Sequence, residues 1–343
     1  MPGARRTRVA RTNRRAAADA RATAGARPVA AAAGRARRGD GRPPVTPLPR
    51  IGITVGDPAG IGPEIVERAL VDPRVLEVCV PIRYGATLDE ARARVAVGQV
   101  SAEAGQMAYD AICAAVADAR AGRIAAITTA PINKDAFATA GLPWPGHTEL
   151  LAHLCGVPRV AMMFDSERLR VVLATIHVAL ADVPRLLTAE RLRGILDLTH
   201  LSLPHFGIRR PRIALAGLNP HAGEHGLFGR EEIETLIPVV EAARADGIDV
   251  TGPIPGDTVF VRAARGEFDV VVACYHDQGL IPVKLVSFGE SVNVTLGLPI
   301  IRTSVDHGTA FDIAGRGTAD HGSLVVAIKL AARLVRGRAT MEG

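Results

Sequence analysis

From about Pro49 onward, short apolar runs alternate with segments of helical period. RIGITVGD reads as a strand that breaks at Gly56-Asp57, and Pro63 suits the first turn of a helix through PEIVERAL. VCVPIRYG is a second strand. Between Ser101 and Ala121, apolar residues recur at Ala104, Met107, Ala108, Ala111, Ile112, Ala115, Val116 and Ala119. That spacing predicts an amphipathic helix, with Ser101 as its N-cap. AAITTAP is the next strand, and VAMMF and LRVVLATIH read as a strand pair. RIALAGLNP and FDVVVACYHD are buried strands, each followed by a helix or a polar loop. VNVTLGLPIIRTS follows, and GSLVVAIKLAARLV closes the chain as a helix. The alternation predicts an α/β fold with a largely parallel central sheet and no internal repeat.

Polar residues gather where the apolar strands stop. TTAPINK follows one strand, His177 ends LATIH, Asn219-Pro220-His221 ends another, and His276-Asp277 ends VVVACYHD. Three of the ten histidines thus terminate three separate strands. Open α/β sheets bind ligands beyond the carboxyl ends of their strands, so these ends are expected to share a crevice. Three neutral imidazoles can hold Zn²⁺ or a similar divalent ion and leave a position open for substrate. Asp277 and Asp257 could orient the rings or join the shell. A single histidine at such a place is more often structural, and no HExxH motif is present. Lys284, Asn293 and Arg302 offer two cations and an amide, which suits a phosphate or carboxylate, though ordinary surface charge would look the same. His147 and Thr148 open a helix at PGHTELLAHL, where exposed N–H groups can also bind an anion. GDPAGIGPE is neither GxGxxG nor a phosphate-binding loop ending in Gly-Lys, and by itself marks only a tight strand-to-helix turn.

Composition narrows this picture. Aromatic residues are 3% of the 343, which suits helices on a parallel sheet better than an all-β sandwich. No apolar run approaches the roughly 20 residues of a membrane span. The formal charge of +6 is misleading, because residues 1–50 carry 13 Arg and two Asp. The remainder holds 28 basic and 33 acidic side chains, so the body is mildly acidic and a nucleic-acid face is not indicated. Residues 1–47 are expected to be a disordered basic tail without the apolar core of a signal peptide. Cys79, Cys113, Cys155 and Cys274 form no CxxC and read as reduced thiols of a cytoplasmic protein.

Several long stretches carry a family likeness. TVGDPAGIGPEI, TAPINK, GHTELLA, LNPHAGE, YHDQGLIPVK and VNVTLGLPIIRTSVDHGTAFDIAGRG together resemble the 4-hydroxythreonine-4-phosphate dehydrogenase family of pyridoxal-phosphate biosynthesis, over about Arg50 to Val335. The resemblance implies an isocitrate/isopropylmalate dehydrogenase-like fold of two α/β domains with a cleft between them. On that basis, 48–131 with 300–343 forms the first domain and 132–299 the second. It implies a homodimer with a shared active site, and one divalent ion per subunit (zinc, magnesium or cobalt) on His177, His221 and His276. Substrate contacts would be His147, Thr148, Lys284, Asn293 and Arg302. NAD or NADP would bind at His307, Gly308, Thr309, Ala310 and Asp320.

The implied reaction is oxidation of the C3 hydroxyl of a small phosphorylated hydroxy-amino acid, with Asp277, Lys284 and His147 as candidates for the proton acceptor. A sister enzyme of 4-phospho-D-erythronate or 4-phospho-D-threonate is the nearest alternative. A metal-dependent hydrolase or binding protein for a phospho-ligand is a more distant one. The basic tail departs from the family pattern. So does ATLDEARARVAV, which stands where family members carry a longer segment.

Overall fold

The computed structural model describes residues 47–342, so the basic tail lies outside the described residues. Ten strands form one sheet: β1 Arg50–Thr54, β2 Val80–Tyr84, β3 Ala126–Thr129, β4 Ala161–Asp165, β5 Val171–Leu173, β6 Ile213–Ala216, β7 Val250–Ile254, β8 Val270–Ala273, β9 Val292–Leu296 and β10 Ile301–Ser304. Their order across the sheet is β2-β1-β3-β10-β9-β4-β5-β8-β6-β7.

The fold is mixed α/β, but the sheet is less parallel than expected. Two parallel blocks, β2-β1-β3-β10 and β5-β8-β6-β7, are joined by three antiparallel pairings through β9 and β4. The reason lies in the connections. Residues 166–170 between β4 and β5, and 297–300 between β9 and β10, are too short for a crossover, which takes about a dozen residues or more. Such neighbours can only pair as hairpins. The two parallel blocks consequently run in opposite directions.

Helices cover both faces. On one face, the helices Ala102–Arg120, Lys134–Thr139 and His147–Cys155 share a core around Ile112, Ile127, Phe137 and Leu150. Further along that face, Gly256–Ala264 and His276–Ser287 pack over Leu173, Val271 and Ala273. The opposite face is covered by Gly62–Val71, Ala189–Ser202, Ile237–Ala245 and the long Gly322–Glu342 helix. The strands read as continuous apolar runs because both faces are buried. Ser101 caps the Ala102–Arg120 helix as expected, accepting from Ala104 N at 3.1 Å. The segment ATLDEARARVAV forms the small helix Leu88–Arg94, started by a reciprocal Thr87–Glu90 capping box.

Candidate active site

β5, β8 and β6 are adjacent and parallel, so their carboxyl ends leave the same edge of the sheet. His177 follows β5, His276 follows β8 as the first residue of its helix, and His221 follows β6. The rings of His177 and His276 face each other with centroids 5.6 Å apart. They line a cavity of about 250 Å³ with Tyr275 and Asp277. Asp277 Oδ1 lies 2.7 Å from His276 Nδ1. With the proton on Nδ1, the carboxylate accepts it and leaves the Nε2 lone pair free, the usual arrangement for a metal-binding imidazole. Burial lowers the pKa of His177; the positive charge of Lys134 and the nearby His276 ring lower it further, and Glu149 opposes them. A neutral imidazole is the ligating form. Asp257 opens the Gly256–Ala264 helix and is not part of this cavity.

His221 is built differently. It is exposed, and the turn Pro220–Gly226 holds His221, Ala222, Glu224 and His225 at φ of 52°, 53°, 40° and 56°. Left-handed backbone costs a non-glycine residue about 1–2 kcal/mol, so the turn needs outside support. Buried Glu232 provides it, accepting from Leu218 N and Asn219 N at 2.8 Å and from Asn219 Nδ2 at 2.9 Å. The His221 ring faces Phe228 and does not line the cavity of the other two. Among the described residues, no group of three His, Cys, Asp or Glu side chains could hold a metal ion. The three histidines therefore share a sheet edge, His177 and His276 face one another, and His221 stands apart from their cavity.

A second polar group lies on the sheet face between the two helix-covered cores. Arg302 on β10 is 2% exposed, and its guanidinium donates to Thr129 Oγ1 at 2.7 Å and Thr295 Oγ1 at 3.0 Å. Both partners are neutral, and burial pushes the Arg302 pKa down to about 9. Arg302 Nε, Asn293 Oδ1 and His147 Nε2 are all buried without a partner. Orphaned buried polar atoms are rare, and each needs an explanation such as a bound water, ion or ligand. Thr148 is buried beside His147 at the start of its helix. A charge-starved guanidinium with an amide, a hydroxyl and a helix N-terminus fits a phosphate or carboxylate. Lys284 sits on the His276–Ser287 helix and is exposed, with no hydrogen bond or ion pair among the described residues.

The pKa of His147 is lowered well below 6.5 by burial and then by Arg302. A histidine that resists protonation in the fold takes up fewer protons than the unfolded chain. Stability is therefore fully present above pH 6.5 and falls as pH drops below it. The slope is bounded at about 1.4 kcal/mol per pH unit for one group. His147→Gln should flatten the acid limb of a melting-temperature-against-pH curve; an unchanged limb would show that His147 is not shielded as described.

The segment 306–315 follows β10, in the other parallel block. Ile61 N donates to Thr309 O at 3.0 Å, so the glycine-rich turn after β1 braces this loop. A Cβ on Gly60 would lie 2.8 Å from that carbonyl, which explains the glycine. His307 Nε2 contacts Ser323 Oγ at 2.9 Å, and Asp320 Oδ1 accepts from Gly322 N at 2.9 Å at the start of the last helix. Gly308 is exposed, and a Cβ there would meet nothing within 4 Å. Its backbone is therefore open to a ligand.

Residues 68–331 match the family described as pyridoxal phosphate biosynthetic protein PdxA. The chain belongs to this family. It is 51% identical over 318 residues to a 4-hydroxythreonine-4-phosphate dehydrogenase of Beijerinckia indica, covering 83% of this chain and 94% of that one. A D-threonate 4-phosphate dehydrogenase of Cupriavidus necator is 45% identical over 329 residues, covering 85% and 99%. The crystal structure of a 4-hydroxythreonine-4-phosphate dehydrogenase from Klebsiella pneumoniae aligns with a TM-score of 0.76 at 42% identity, covering 84% and 98%.

Within this family framework, several participants were not singled out from sequence. Thr129 and Thr295 hold Arg302, Glu232 supports the His221 turn, and Lys134 bears on His177 electrostatically. TTAPINK carried a signal for Thr129 and Lys134, as a polar cluster at a strand end. Thr295 and Glu232 carried none, because their importance comes from contacts made across the fold.

Proposed function

We propose that the chain oxidises the C3 hydroxyl of 4-phosphohydroxy-L-threonine to 2-amino-3-oxo-4-phosphooxybutanoate, in pyridoxal 5'-phosphate biosynthesis. The product decarboxylates to 3-amino-2-oxopropyl phosphate. The observation that carries this reading is Arg302, a buried cation with only neutral partners, in a chain half identical to a dehydrogenase of that phosphorylated substrate. An oxidoreductase of this family takes a nicotinamide cofactor and a metal ion. His177 and His276 fit a divalent ion such as zinc, cobalt or magnesium, and His221 is the third ligand we assign. A metal held there would supply Lewis-acid polarisation of the substrate hydroxyl, and a nicotinamide, from NAD or NADP, would supply the hydride acceptor.

The chain's own residues then have separate tasks. Arg302, Asn293 and Thr148 hold phosphate or carboxylate, and Lys284 adds a second cation. His147 Nε2, kept neutral by burial, takes the hydroxyl proton as the carbonyl forms. Asp277 orients His276, which leaves it and Lys284 as weaker candidates for that proton. His307, Gly308, Thr309, Ala310 and Asp320 form the nucleotide side.

We place the active site between two copies of the chain. His221 is exposed beside Leu227, 73% exposed, and Phe228, 46% exposed, a ligand in an apolar surround that a second copy would cover. The four cysteines are free, as suits a cytoplasmic enzyme. Among the described residues no helix is long and apolar enough to cross a membrane.

A second reading has support in the Cupriavidus relative: the substrate is D-threonate 4-phosphate. The two substrates differ at the carbon that bears an amino or a hydroxyl group. NADH formation from each, at equal concentration with metal present, separates them. Gly308→Val offers a further check, since a branched side chain would obstruct close backbone approach. The KM for NAD should rise while metal content and melting temperature hold; loss of metal with unchanged KM would mean the loop was misassigned.

A further inference from the structure

We propose that Gln278 is a positioning residue that sets the spacing of the three histidine-bearing strand ends, an inference resting on the histidine centre assigned above. Its side chain bridges two strands where their backbone ladder has stopped. Oε1 accepts from Cys274 N at 2.7 Å, and Nε2 donates to Gly217 O at 2.7 Å. One partner can only donate and the other can only accept, so the amide orientation is fixed. A Cβ on Gly256 would lie 3.2 Å from Nε2, so the backbone closes tightly around the amide.

Cys274 is the hub of this tie. Its carbonyl accepts from Thr175 N at 3.2 Å and Thr175 Oγ1 at 2.8 Å, and its Sγ donates to Ala216 O at 3.2 Å. The chain Thr175–Cys274–Gln278–Gly217 thus crosses from β5 through β8 to β6. Thr175 stands two residues before His177, Cys274 two before His276, and Gly217 four before His221. Gln278 also lies in the first turn of the helix that His276 opens. A glutamine bonded only for stability could sit anywhere along the ladder. This one joins the strand ends that carry the imidazoles, beyond the last backbone pairing of β6 with β8 at Leu215 and Val272. Metal affinity responds steeply to ligand placement, and groups that orient ligands are typically worth about 10 to 100-fold.

The test is Zn²⁺ affinity of the full chain, measured by competition with a chromogenic chelator, alongside melting temperature and kinetics. Gln278→Met keeps the bulk and removes both bonds; it should weaken Zn²⁺ binding about tenfold or more and lower kcat, with KM for NAD unchanged. Gln278→Glu keeps the acceptor for Cys274 N and loses the Gly217 bond. It guards against a misfolded Met variant and should weaken binding to a smaller extent. His276→Ala separates the two layers of the argument. Wild-type Zn²⁺ affinity in His276→Ala would overturn the histidine centre itself. Loss of Zn²⁺ in His276→Ala with wild-type affinity in the folded Gln278 variants would overturn only the positioning role, even if their melting temperatures fall.

Discussion

His276→Ala is expected to lose the divalent metal and to slow turnover by roughly a thousandfold while remaining folded. The rate effect follows from withdrawing several kcal/mol of Lewis-acid stabilisation, at about 1.4 kcal/mol per factor of ten. The fold should persist because the His276 side chain is 39% exposed and Asp277, which it contacts, is 73% exposed. Exposed substitutions of this kind change stability by about 0.5 kcal/mol or less. His177→Ala should behave alike, since the two rings share one cavity. Metal analysis, melting temperature and NADH formation on the same preparations check this. A histidine with a purely structural task would give the reverse pattern, a lower melting temperature with turnover retained.

Arg302→Met is expected to lower kcat/KM by about 10² to 10³-fold, mostly through substrate binding, and to leave the ligand-free fold almost as stable. Truncating one partner of a buried charge pair costs about 2–5 kcal/mol. Here the partner is the bound anion, so the loss falls on the complex. Without ligand, Arg302 is a buried charge held by two threonine hydroxyls, and such a charge contributes little to the fold or opposes it. Inorganic phosphate should therefore raise the melting temperature of the wild type and not of the variant. Equal phosphate protection of both proteins would remove Arg302 from the anion site.

The α/β class was legible because both sheet faces are covered, which writes each strand as an apolar run with a polar stop. The histidines were legible for the same reason, each standing within five residues of the end of such a run. Other features depend on distance in space and left no local mark. The antiparallel middle of the sheet comes from two connections too short to cross over. The placement of His221 comes from a left-handed turn held by Glu232 from thirteen residues or more away along the chain. Lys284 was read as one of two cations that suit a phosphate or carboxylate, and nothing local showed that its helix would carry it among the exposed side chains Ile281, Leu285 and Phe288. Gln278 left no local mark either, because its amide bridges two strands that meet only in the fold.

The central claim is metal-dependent dehydrogenation of a phosphorylated hydroxy acid. The most direct measurement is NADH formation by the purified chain with NAD and 4-phosphohydroxy-L-threonine, before and after removal of divalent metal by a chelator and again after its return. The account predicts turnover that disappears on chelation and is restored by added Zn²⁺, Co²⁺ or Mg²⁺. Undiminished turnover in the chelated protein, or no NADH from this substrate or from D-threonate 4-phosphate with metal present, would contradict it.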